Sequence, residues 1–162
     1  NTPVHLVYRK PNNHFLDNIL QRTRRRAGAM SNIPKSVEGT RQIMAALKKN
    51  ENIGALIDQK FNGGIEVPFF GMPARTTPAM IHIADRYNVP LHPVQIVRLN
   101  RCRFNVIIHD AVKISTAGDK TQKSYETLLE IHRQYEEWIR QAPGQWLWLH
   151  RRWNLKNKKR KK

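Results

Sequence analysis

Short apolar runs alternate along the chain with stretches whose apolar residues recur at helical spacing, which predicts strands and helices in turn. Val4-His5-Leu6-Val7-Tyr8 reads as a buried strand stopped at Arg9-Lys10-Pro11. A helix follows, capped by Asn13 and ended by Gly28, with Phe15, Leu16, Ile19, Leu20, Thr23 and Ala27 as its apolar stripe. Residues 29–33 suit a second short strand. Ser36 then caps a helix with the stripe Val37, Thr40, Ile43, Met44 and Leu47, and residues 53–57 form the next buried strand, ending in Asp58-Gln59. Val67-Pro68-Phe69-Phe70-Gly71 reads as an aromatic loop, with a helix opening at Thr76 or Thr77 and closing before Pro90. Residues 91–99 and 104–108 read as strands. A long helix spans 121–141, with Tyr125, Leu128, Leu129, His132, Tyr135 and Ile139 on one side and Pro143-Gly144 beyond it.

This order predicts an α/β fold, a mostly parallel sheet flanked by helices. In such sheets ligands bind outside the carboxyl ends of the strands. Arg9 and Asp58 each follow a predicted buried strand, so the pattern brings opposite charges to one sheet edge, as a site or as an ion pair.

Composition narrows the classes. The 162 residues, 40% of them hydrophobic, suffice for one domain with a real core, which excludes wholesale disorder. The single Cys102 excludes an intramolecular disulfide and a cysteine zinc site. No apolar run reaches the roughly 18 residues of a membrane span, and the opening Asn1-Thr2-Pro3 reads as the middle of a longer protein. With 29 Lys and Arg against 12 Asp and Glu, the formal charge of +17 calls for an anionic partner: nucleic acid, phospholipid or acidic protein. Arg22, Arg24, Arg25 and Arg26 cluster, and residues 156–162 read as a basic disordered tail following a domain of residues 1–155.

Catalytic motifs are sparse. His14 and Asp17 read as a cap with a surface side chain. His132 and Glu137 spell His-x4-Glu, yet five helical residues turn through roughly 500° and leave them about 140° apart, a poor dyad. No histidines share the i, i+4 spacing of a metal pair, no Gly-x-Ser-x-Gly or phosphate loop occurs, and Ser31, Ser36, Ser115 and Ser124 read as loop or cap residues. Glu38-Gly39-Thr40-Arg41 reads as first-turn capping chemistry. Three tryptophans in Gln145-Trp146-Leu147-Trp148-Leu149-His150-Arg151-Arg152-Trp153 fit core packing first, then nucleic-acid stacking or a membrane belt.

In order, Val7-Tyr8-Arg9-Lys10-Pro11-Asn12-Asn13 with Leu16-Asp17, residues 24–28, Leu56-Ile57-Asp58-Gln59, residues 67–71, residues 74–76 and residues 146–153 resemble the lipid A biosynthesis acyltransferases, the lauroyl and myristoyl transferases of Gram-negative bacteria. Gly144 departs from the glutamate usual before Gln-Trp. The family's catalytic His-x4-Asp/Glu precedes the Tyr-Arg strand, so the resemblance implies an incomplete acyltransferase domain lacking its N-terminal part and inactive alone. It implies transfer of a fatty acyl group from acyl carrier protein to a hydroxyl of a lipid A precursor, at the cytoplasmic face of the bacterial inner membrane. Partners would be the carrier protein, the precursor and an anionic membrane surface, with no cofactor, metal or specific nucleic acid. Arg9 and Asp58 are the expected catalytic residues, with Gln59, Phe69, Phe70, Arg75, Arg151 and Arg152 binding substrate. A basic nucleic-acid-binding module is the alternative, resting on charge and the tryptophan-arginine segment.

Overall fold

The structure, a computed structural model, describes residues 4–26, 29–148 and 151–153. The chain divides into two compact units, Asn1–Leu56 and Ile57–Lys162.

In the first unit, β1 (Val4–Tyr8), β2 (Ala29–Pro34) and β3 (Asn52–Gly54) form a parallel sheet in the order β2-β1-β3, connected through α1 (His14–Arg26) and α2 (Val37–Lys48). The expected caps are present. Asn13 Oδ1 accepts from the Phe15 and Leu16 amides at 2.9 and 3.3 Å, and Ser36 Oγ accepts from the Gly39 amide at 3.0 Å. Gly39 is required by a close approach, because a Cβ there would lie 1.8 Å from the Pro34 carbonyl oxygen. The predicted third strand is shorter than residues 53–57: pairing ends at Leu6 with Gly54, Leu56 is exposed, and Asp58 lies beyond the sheet.

The predicted stripe of α1 does not face the core. Phe15, Leu16, Ile19 and Leu20 are 72, 51, 46 and 39% exposed, while Asp17 on the opposite side is buried. A polar network explains the inversion. Tyr8 Oη donates to Asp17 Oδ1 at 3.1 Å, Gln21 Nε2 to Tyr8 Oη at 2.6 Å, Asn32 Nδ2 to Gln21 Oε1 at 2.8 Å and Arg24 Nη1 to Asn32 Oδ1 at 3.4 Å. Asp17 is thus no surface side chain. Burial and its bond to Asp17 raise the Tyr8 pKa above the ordinary phenol value.

The second unit holds two antiparallel hairpins, β4 (Ile65–Phe69) with β5 (Met72–Thr76) and β6 (Val94–Asn100) with β7 (Arg103–Ile108), together with α3 (Ala79–Tyr87) and α4 (Lys120–Gln141). Parallel pairing is therefore confined to a small sheet, and the expectation of a mostly parallel sheet gives way to a mixed α/β architecture. The β4–β5 hairpin replaces the predicted aromatic loop and helix start. Thr76 ends a strand, and α3 begins at Ala79. Pro68 and Pro73, in register across this ladder, are tolerated because both strands of a two-stranded sheet are edges. Asp119 caps α4, whose Leu128, Ile131, His132 and Ile139 are buried, with Ile57, Val67, Ile81 and Val112 completing the main core cluster around Leu128 and Ile131. The tail at 156–162, Gly28, Leu149 and His150 lie outside the described residues.

Candidate functional site

In the first unit, the carboxyl edge of the parallel sheet is basic. Arg9 and Lys10 follow β1 and are exposed, and Lys35 follows β2 with its amide donating to the Tyr8 carbonyl at 2.9 Å. Ser36 opens α2 at the same edge, so backbone amides and the positive end of the helix dipole join these side chains. Such an edge suits phosphate or a developing oxyanion. Arg9 occupies its expected strand-end position. Asp58 belongs to the other unit and follows no strand directly.

In the second unit, Asp58 is half-buried and its Oδ2 accepts from Trp146 Nε1 at 3.3 Å. Trp146 packs edge-on against Phe69, ring centroids 5.6 Å apart, and Trp153 stacks on Phe69 at 5.8 Å and donates its indole N–H to the Phe69 carbonyl at 2.9 Å. Two of the three C-terminal tryptophans, partly buried, therefore pack against the core at Phe69, as their first reading expects. Trp148 is half-exposed. Phe69 is buried, and Phe70 sits beside it in a two-residue turn with Gly71, at φ values of 50 and 73°. Positive φ at both central residues is the geometry that follows strand twist, and it is uncommon for phenylalanine. The turn is held from α4: the Phe70 amide donates to Glu136 Oε1 at 2.6 Å, Arg140 Nη2 donates to Glu136 Oε2 at 3.0 Å, and the Arg140 guanidinium lies 5.0 Å from the Phe70 ring centre.

Arg152, expected at a substrate surface, is 1% exposed. Its Nη1 donates to the Arg75 carbonyl at 2.8 Å and its Nη2 to Thr76 Oγ1 at 2.5 Å, with His132 Nε2 3.3 Å away and the Phe69 ring centre 5.3 Å from the guanidinium carbon. His132 Nδ1–H donates to the Pro68 carbonyl at 2.7 Å, which leaves Nε2 as an acceptor. Burial lowers the His132 pKa to about 4, against the carbonyl contact and with the help of the Arg152 charge. Burial also lowers the Arg152 pKa, while the field of Asp58 supports its charge. The His-x4-Glu spelling is no dyad, since His132 is locked in the core and Glu137 is exposed. Sequence reading missed the pairing of Arg152 with His132 and Thr76, because the partners lie 20 and 76 residues away.

The other expected residues divide. Gln59 is half-buried beside Asp58. Arg75 points to the exposed face of β5, pairing with Glu66 at 3.1 Å and donating to the Asn62 carbonyl at 2.8 Å, and Arg151 is exposed. Ser31 lies within β2 rather than in a loop, bonded to His5 Nδ1 at 2.6 Å while His5 Nε2 meets Glu51 at 2.9 Å. These bonds tie the two flanking segments to the central strand. Among the described residues no group of three or more His, Cys, Asp or Glu side chains is placed to hold a metal ion.

The family model described as bacterial lipid A biosynthesis acyltransferase matches residues 2–155, nearly the whole chain. The chain belongs to this family. No curated protein matches it. Within the lipid A acyltransferase family assignment, the Tyr-Arg strand and the Leu-Asp of α1 acquire a physical link, the Tyr8–Asp17 hydrogen bond, and the C-terminal Trp-Arg-Trp residues acquire another, the cage around Phe69. Membership gives no support to a nucleic-acid-binding role.

Proposed function

We propose that this chain is the C-terminal part of an acyltransferase domain which, when complete, moves a fatty acyl group from the thioester of acyl carrier protein to a hydroxyl of a lipid A precursor at the cytoplasmic face of the bacterial inner membrane. The family match over residues 2–155 carries this reading. The acceptor oxygen attacks the thioester carbonyl, its proton passes to a general base, the new ester forms, and the carrier thiol leaves with a proton. The family resemblance assigns that base to a His-x4-Asp/Glu pair upstream of Val4, and the core-locked His132 does not substitute for it.

Arg9, on the basic edge of the parallel sheet, meets the oxyanion or a precursor phosphate with its guanidinium fork. Within the second unit, Asp58 offers a carboxylate held by its Trp146 hydrogen bond, and Phe70 offers an aromatic surface for an acyl chain. The test is turnover of the complete enzyme with acyl carrier protein thioester and lipid A precursor. Arg9→Ala lowers kcat by about 10²–10³, the loss typical of an oxyanion donor, with unfolding unchanged. Unchanged turnover removes Arg9 from the site. The isolated 162-residue chain gives no transfer above background, and saturable transfer by it overturns the assignment of the base.

A further inference from the structure

A surface helix normally turns its apolar side inward. Helix α1 does the reverse. Asp17, Gln21 and Arg24 face the sheet through the Tyr8 and Asn32 network, and Phe15, Leu16, Ile19 and Leu20 are left in solvent. With about 100° between successive residues, Phe15, Ile19, Thr23, Leu16 and Leu20 fan across about 140° of the helix surface. Arg22 borders that fan, Arg26 falls within its angular range at the last turn of the helix, and Arg25 lies further round, all three exposed. The single acid of the helix, Asp17, is turned away from it.

We propose that α1 lies in the plane of an anionic lipid surface, with Phe15, Leu16, Ile19 and Leu20 among the acyl chains and Arg22, Arg25 and Arg26 on headgroup phosphates. This rests on the membrane reading above and names the element that makes the contact. An apolar face wide enough to sink, with arginines at its edge and in its last turn, matches the chemistry of an interfacial helix. Charge complementarity selects the occupant. A second copy placed on the same face would set Arg22 and Arg26 against their own counterparts, whereas phospholipid phosphates neutralise them.

The test uses the full chain with Cys102→Ser and an environment-sensitive fluorophore on Ile19→Cys, or on Gln42→Cys, which is exposed on α2, the helix that right-handed crossovers place on the opposite face of the sheet. Vesicles are pure phosphatidylcholine or an equimolar mixture with phosphatidylglycerol. The Ile19 probe shifts to the blue and loses quenching by iodide on the anionic vesicles, while the Gln42 probe changes little. Ile19→Glu with Leu20→Glu, both at exposed helical positions, lowers partitioning by about tenfold or more. Arg22→Glu with Arg26→Glu removes the preference for anionic lipid, and circular dichroism verifies the fold of each variant. Vesicle binding with both probes equally water-exposed overturns the proposal, as does absence of vesicle binding. Burial of the Ile19 probe that follows protein concentration without lipid also overturns it, in favour of self-association. Turnover of the complete enzyme on detergent-dispersed acceptor is read separately, so failure of α1 as the docking element is distinguishable from failure of the acyltransferase reading.

Discussion

Arg152 places a guanidinium in the interior, and its two terminal nitrogens reach the Arg75 carbonyl, Thr76 and His132 from one plane. Lysine has one point of charge and no fork. Arg152→Lys therefore costs about 2–3 kcal/mol in urea unfolding, the value of one charged hydrogen bond lost and its acceptor left buried, and an unchanged midpoint refutes this. His132 adds a pH signature. Its folded pKa of about 4 lies below the unfolded 6.5, so between these values the unfolded chain binds a proton that the folded chain excludes. Its contribution is complete above about pH 6.5 and is lost as the pH falls toward 4, a change of about 3 kcal/mol. Unfolding followed from pH 7.5 to 4 should steepen in the native chain and flatten in His132→Gln. Equal slopes place the acid sensitivity elsewhere.

Two glycines define how elements meet. Gly39 lets the first turn of α2 rest on the end of β2, and Gly39→Ala costs about 1–3 kcal/mol through forced backbone displacement. Gly71 sits at φ 73° with open space around it, so Gly71→Ala costs about 1–2 kcal/mol through conformation alone. Thermal unfolding distinguishes them: the first alters packing of the first unit, the second only the β4–β5 turn. The elements were legible where period and caps agreed, as in β1, the Asn13 and Ser36 caps, and the long helix with buried Leu128, His132 and Ile139. They were not legible where a proline hid a strand, as at Pro68 and Pro73, since proline is read as a breaker and the two-stranded ladder has edges that accept it. The period of α1 was read well but its direction was not, because a stripe records which residues share a face and not which face meets the sheet. Tyr8, Gln21 and Asn32 settled that by hydrogen bonding. The site was legible as positions along the chain. The Asp58–Trp146 bond and the Arg152 cage depend on contacts 20 to 88 residues apart, which no local pattern records.

Across the whole molecule, a formal charge of +17 guarantees attraction to any polyanion at low salt, so low-salt binding separates nothing. No helix among the described residues is long and apolar enough to cross a membrane. Contact with nucleic acid through Lys and Arg alone is driven by counterion release and weakens steeply with salt. Contact with a bilayer adds burial of apolar side chains, a contribution that does not depend on ionic strength in that way. At about 0.5 M salt the Debye length is only a few Å, and charge attraction beyond direct contact is screened. The chain should then retain measurable binding to phosphatidylglycerol vesicles while losing nearly all binding to RNA of random sequence, both measured by co-sedimentation or anisotropy on the same preparation. Two partly buried tryptophans bear on this expectation. Trp146 and Trp153 have their rings packed against Phe69 and their indole N–H groups bonded to Asp58 and the Phe69 carbonyl, so base stacking on them would compete with these contacts. Sequence-selective RNA binding that persists at this salt, with vesicle binding gone, would reverse the choice of partner.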